Sequence, residues 1–279
     1  MLTTLRYGFA GLRGQILGWG LSLAGFGLMI VAFYDKFAAG QGQAMLDMIK
    51  AYPPEFLAFF GSNPASIVTP EGFLGMYAFS MLPPIFGIFA ILVGSGLLAS
   101  DEERGRLDLI LAHQVSRSGL FWGRVAAFVA ATLAICALGW LGFALLLGGS
   151  TLGLGWGRMA LPFVPLAVQL IVYGALALVL SMLLPSRSAA AAVAGLVMIG
   201  SYLLSSLARL EPNLQIAARL LPYEHYQAAA AINGLDGVAL LGLLLASALM
   251  ALIAWWRFER RDVRVVGEGG WHLSLRLAR

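Results

Sequence analysis

Charge-free apolar windows recur along the chain at residues 14–34, 73–100, 125–157, 159–186, 188–208 and 237–256. A helix needs about 20 apolar residues to cross roughly 30 Å of hydrocarbon, and every window is long enough. Backbone groups in lipid must satisfy one another, and windows this long and apolar do so as helices. The pattern predicts an all-α integral membrane protein with six transmembrane helices, near 15–35, 72–99, 120–147, 159–184, 188–206 and 237–256. Residues 1–279 read as a single transmembrane domain.

Between the windows the periodicity changes. Leu2, Leu5, Phe9, Leu12 and Ile16 recur at steps of three and four, with Arg6 and Arg13 off that face. This spacing predicts an amphipathic helix over 1–15, lying in the inner interface. In the outer loop 36–72, Met45, Met48, Ile49, Tyr52, Phe56, Phe59 and Phe60 form one stripe, broken at Pro53-Pro54. Two short interfacial helices fit it. Thr69-Pro70-Glu71 reads as a helix start: a capping hydroxyl, a proline in the first turn, and an acid at the positive end. Pro83-Pro84 predicts a kink in span two. The outer segment 207–236 carries an apolar helix around Leu214–Leu221 and then Pro222-Tyr223-Glu224-His225-Tyr226. Part of it is expected to dip back against the outer leaflet and cap a path through the spans, with Arg219, Glu224 and His225 as outer-gate candidates. Trp255-Trp256 followed by Arg257-Phe258-Glu259-Arg260-Arg261 marks the inner interface, and 258–279 forms a cytoplasmic tail.

The loop 100–118 is different in kind. Ser100 stands three residues before Glu103, as in a capping box, so a helix is expected to begin at Asp101. Leu107, Ile110, Leu111 and Val115 share one helical face. Arg104 and Asp108 are four apart and can pair on the other. The second inner turn, Pro185-Ser186-Arg187-Ser188, is minimal. Loop 100–118 thus reads as a helix that presents itself to a soluble partner.

Composition sharpens the topology. Charged residues make up 11% of the chain, against about 25% in soluble domains. The net charge of +4 follows from topology and does not point to nucleic acid. If both ends are cytoplasmic, 13 of the 18 Lys and Arg residues lie inside, all but Lys36, Lys50, Arg158, Arg209 and Arg219. That asymmetry matches the positive-inside rule, and an even number of spans requires both ends on one side. The apolar run from Gly14 to Tyr34 exceeds the 7–15 residues of a signal peptide, so it reads as an anchor. The lone Cys136 reads as a packed apolar residue.

Several function classes recede. No window holds Asp, Glu, Lys, Arg or His, so intramembrane catalysis lacks its titratable groups. His113, His225 and His272 are scattered, and no metal constellation is visible. Ion-coupled pathways place charges within the membrane. An ion-coupled secondary transporter and a membrane scaffold stay open.

The run Leu98-Ala99-Ser100-Asp101-Glu102-Glu103-Arg104-Gly105-Arg106-Leu107-Asp108-Leu109-Ile110-Leu111-Ala112, with Val115-Ser116-Arg117, resembles the type 2 permeases of ATP-binding-cassette (ABC) transporters. That family shows an acidic pair, then Arg-Gly, a Leu-rich helix, and a Ser-Arg turn into the third span. The Pro-Glu-Phe-Leu segment ending at Gly61, Thr69-Pro70-Glu71-Gly72, and Phe-Glu-Arg-Arg-Asp at 258–262 are similar too. The chain departs at Arg106, where the family usually has Thr, and at Gln114, where it usually has Pro. The resemblance implies a coupling helix seated in a cleft of an ATPase subunit. Asp101, Glu102, Glu103, Arg104, Gly105, Leu107, Asp108, Leu111 and Arg117 would carry that contact, with Leu107 and Leu111 as its packing face. The sequence has no GxxxxGK[ST] phosphate loop. ATP and Mg are therefore expected on two partner ATPase subunits, beside a second permease chain, identical or related. No cofactor is expected on this chain. The resemblance further implies export, of lipophilic or amphipathic molecules, across a bacterial cell membrane.

Overall fold

The computed structural model describes residues 2–36, 51–53, 69–105 and 116–260. The two outer-loop helices expected within 36–72, the packing face Leu107 and Leu111 with Asp108, and the tail beyond Arg260 lie outside the described residues.

Six helices are long and apolar enough to cross a membrane: Arg13–Lys36, Pro70–Gly96, Arg117–Gly149, Trp156–Leu183, Arg187–Leu207 and Gly237–Arg260. These are spans one to six, and each contains or overlaps a predicted window. No strand occurs among the described residues. The expected all-α membrane fold is the one observed.

Side-chain oxygens set four of the span starts by accepting a free backbone N–H of the first turn. Thr69 Oγ1 accepts from Gly72 N at 3.1 Å, with Pro70 in the first turn. Ser116 and Ser186 do the same for Gly119 and Ala189, at 3.1 and 3.2 Å. Asp236 Oδ1 accepts from Val238 N and Ala239 N at 3.0 and 3.1 Å.

Span four is the axis of the bundle. Its helix Phe163–Leu183 packs against spans two, three, five and six, while span one leans along span three. Small residues permit the closest approaches, as in other helix pairs within lipid. A Cβ on Gly94 would strike the backbone of Gly174, and one on Gly142 would strike the backbone of Ala24. Phe79, Phe143 and Phe163 then pack together in the core, with ring centroids 5.4 to 5.5 Å apart.

The N-terminal helix, Leu2–Gly11, precedes span one and packs along the start of span three. Thr4 Oγ1 donates to Gly119 O at 3.2 Å. Phe9 and Leu12 turn to the core, while Arg6, Tyr7 and Arg13 are exposed. Phe9, Leu12 and Ile16 of the apolar stripe read from the sequence thus lie on the packed face. The far end of the chain returns to the same place: Phe258 lies against Phe121, with centroids 6.1 Å apart. Both described ends therefore sit at one end of the bundle, beside the start of span three.

Candidate coupling site

The acidic stretch after span two folds as a single helical turn, Ala99–Glu103. This corrects the capping-box expectation. The helix starts at Ala99 instead of Asp101, and Ser100 lies inside it without a capping bond. It also stops early. Gly105 takes a left-handed φ of +64° and its N–H donates to Glu102 O at 3.0 Å. Glycine reaches that conformation without a Cβ penalty, so Arg104-Gly105 closes the turn.

The carboxylates of this turn are used within the chain. Asp101 Oδ2 accepts from the Arg124 guanidinium of span three, which also donates to Leu97 O at the end of span two. Glu103 Oε1 accepts from Arg187 N, at the start of span five, at 3.1 Å. Arg187 Nη2 reaches back to Leu92 O in span two at 3.0 Å. Glu102 is buried, and Arg104 and Gly105 are exposed. Arg117, half-buried, is the first residue of span three.

A second brace joins spans three and six beside it. Ser118 Oγ donates to Glu259 Oε1 at 2.5 Å and accepts from Trp255 Nε1 at 2.9 Å. Leu98, Leu120, Phe121, Ala254 and Phe258 pack beneath these bonds. The guanidinium of Arg260 lies 4.5 Å from the Trp256 ring centroid. The turn between spans two and three is thereby tied to spans two, three and five, and through Ser118 to six.

The opposite end holds a feature that the sequence pattern did not reveal. In span two, Gly75–Phe79 forms a π turn, with Ser80 N bonded to Gly75 O at 3.1 Å. Pro83 and Pro84 follow and lack N–H groups, so the carbonyls four residues earlier, Phe79 and Ser80, lose their helical donors. The outer segment replaces both. Tyr226 Oη donates to Phe79 O at 3.0 Å, and Tyr223 Oη donates to Ser80 O at 2.7 Å. Tyr223 N also donates to Ser201 Oγ of span five at 3.0 Å. Burial raises both phenols well above their usual range, so both remain O–H donors at neutral pH. The gate candidates Arg219, Glu224 and His225 are exposed instead, with His225 Nε2 2.9 Å from Arg219 O. Pro83-Pro84 was the signal present in the sequence: two missing donors in one span call for two supplied from elsewhere.

Among the described residues, no three His, Cys, Asp or Glu side chains gather as a metal would require. Six helices long and apolar enough to cross a membrane, with a braced acidic turn at one end, define a multi-span membrane protein. Residues 8–259 match the family described as multidrug efflux system permease Rv1217c, C-terminal domain. The chain belongs to this family of type 2 ABC permeases, as the acidic loop foretold. No curated protein matches the chain.

Proposed function

We propose that this chain is the membrane half of an ATP-driven exporter of lipophilic or amphipathic compounds, and that a separate ATPase docks at the turn after span two. The family description, multidrug efflux, supports export of such compounds. The observation that carries the coupling role is the bracing of Ala99–Glu103: Asp101 to Arg124, and Glu103 to the start of span five. Nucleotide and Mg belong to two ATPase subunits, and a second permease chain completes the spans. Closure of the ATPase pair pushes the turn, and the braces carry the push into spans three, five and six. The chain itself performs no hydrolysis. It sits in a bacterial cell membrane with both ends cytoplasmic, the side on which Arg104, Arg117, Arg124, Arg187, Arg257 and Arg260 gather.

The docking surface takes in the exposed Arg104 and Gly105 and the half-buried Arg117, with Leu107, Asp108 and Leu111 of the adjoining stretch, while Glu102 is buried beneath it. Leu107→Asp introduces a carboxylate into an apolar contact, and a buried unpaired charge is costly. Each 1.4 kcal/mol lost is about tenfold in affinity. The test is pull-down of the ATPase by tagged permease in detergent, with transport-coupled ATP hydrolysis measured alongside. Leu107→Asp and the pair Glu102→Lys, Glu103→Lys are expected to lose both. Normal binding and normal coupled hydrolysis in both variants would remove this loop as the transmission element.

A further inference from the structure

A cleft of about 600 Å³ opens between the N-terminal helix, the end of span two and the coupling turn. Ligand pockets generally run from about 300 to 1,000 Å³. The lining is divided. Arg104, Arg124 and Arg187 line it, with Asp101 as the one carboxylate among the described lining residues. Leu12, Leu92, Val93, Leu120 and Ala127 supply its apolar wall, with Thr4, Tyr7, Gln15 and Ser100 as further polar lining. We propose that this cleft binds an acidic phospholipid from the leaflet at the coupling-turn end, its phosphate on the three arginines and its acyl chain along the apolar wall.

The arginines are poised for it. Arg124 is held by Asp101 and Leu97 O, and Arg187 by Leu92 O, which fixes both heads at the cleft. A guanidinium carries five donors, so each keeps several for a phosphate. Arg104 is exposed and makes no hydrogen bond or ion pair among the described residues. Asp101 balances Arg124, Glu102 is buried and Glu103 is taken by Arg187 N, so the guanidiniums of Arg187 and Arg104 have no carboxylate partner among the described residues. The surplus of positive charge selects an anion, and the planar fork of arginine suits phosphate oxygens. The apolar wall selects a lipid over a free phosphate. So does the position, where apolar spans give way to charged residues at the bundle's end.

The occupant touches the parts that transmit. Arg124 and Arg187 hold the coupling turn to spans two, three and five, so a bound phosphate competes with or reinforces those bonds. The acidic-lipid content of the bilayer thereby tunes the stiffness of the linkage. The site rests on the six-span fold and not on the docking of an ATPase, so its binding test stands or falls independently of transport.

Purified full-length chain in a zwitterionic detergent is titrated with dioctanoyl phosphatidylglycerol, dioctanoyl phosphatidylcholine and glycerol 3-phosphate, read by native mass spectrometry. Phosphatidylglycerol is expected to bind at least tenfold more tightly than phosphatidylcholine, and glycerol 3-phosphate to compete poorly. A basic residue near a membrane surface is worth roughly fivefold toward an acidic lipid. Arg104→Gln is therefore expected to weaken phosphatidylglycerol about fivefold, and Arg104→Lys to recover most of that loss. Gly11→Trp gives a second reading without charge. A Cβ at Gly11 meets nothing within 4 Å, so the ring can occupy the cleft and exclude the lipid. Equal binding of the two lipids overturns the proposal, as does undiminished phosphatidylglycerol binding by both Arg104→Gln and Gly11→Trp. Competition by glycerol 3-phosphate as strong as by the lipid overturns the lipid assignment in favour of a soluble phosphate.

Discussion

At the scale of single residues, the hydroxyls of Tyr223 and Tyr226 complete a helix to which neither belongs. They serve the carbonyls of Ser80 and Phe79, which Pro83 and Pro84 leave without donors. A buried acceptor stripped of its partner costs about 1–3 kcal/mol. Tyr223→Phe and Tyr226→Phe keep the ring packing and remove only the O–H. Each is expected to lower thermal stability in detergent, and the double variant to lower it further. Unchanged melting in both would show that water serves the carbonyls equally well. The prolines and the donors they withhold were legible in the sequence, because the missing N–H is a property of the residue itself. The tyrosines were not: two donors could have come from any of several hydroxyls, and only the folded bundle brings residues 143 and 147 positions apart together. Sequence reasoning singles out Arg219, Glu224 and His225 because they are charged, whereas the buried partners of a broken helix are neutral.

Among elements, the spans were the most legible, since each is long, apolar and free of charge by local composition alone. The Thr69-Pro70-Glu71 start was legible for the same local reason, and Thr69 caps as its chemistry dictates. The acidic turn shows where local reasoning ends. Ser100 and Glu103 have the spacing of a capping box, yet the helix begins one residue before Ser100. Asp101 is instead drawn to Arg124, 23 residues on, and Glu103 to the start of span five, 84 residues on. Asp101 and Arg124 are partly screened, with side chains 18% and 13% exposed, so the ion pair is worth less than a fully buried one. A double-mutant cycle measures it directly. Asp101→Asn and Arg124→Gln are each expected to destabilise, and the double variant by less than their sum, with a coupling of roughly 0.5–2 kcal/mol. Strict additivity in denaturant-monitored unfolding would mean that the pair braces nothing.

For the whole molecule, the gathering of basic side chains around one end of the bundle supports the proposed orientation with that end in the cytoplasm. A single cysteine at Gln215, in a Cys136→Ala background, is expected to react with a membrane-impermeant maleimide in intact cells. One at Arg260 should react only after permeabilisation, because the positive-inside bias holds that end in the cytoplasm. Labelling in the reverse order would invert the topology and move the ATPase site to the wrong side. The joint between span two and the outer segment also sets a timetable for making the protein. Phe79 and Ser80 leave the ribosome 147 and 143 residues before the tyrosines that serve them. At about 5–20 residues per second, that delay is on the order of ten seconds. For that interval span two is fully translated but structurally incomplete, with two bare acceptors near the bilayer while three more spans are threaded beside it. A chain cut short anywhere before Tyr223 stays in that state. Its flaw then lies in an early helix whose own sequence is intact, and surveillance proteases of the membrane would meet a late truncation as a damaged second span.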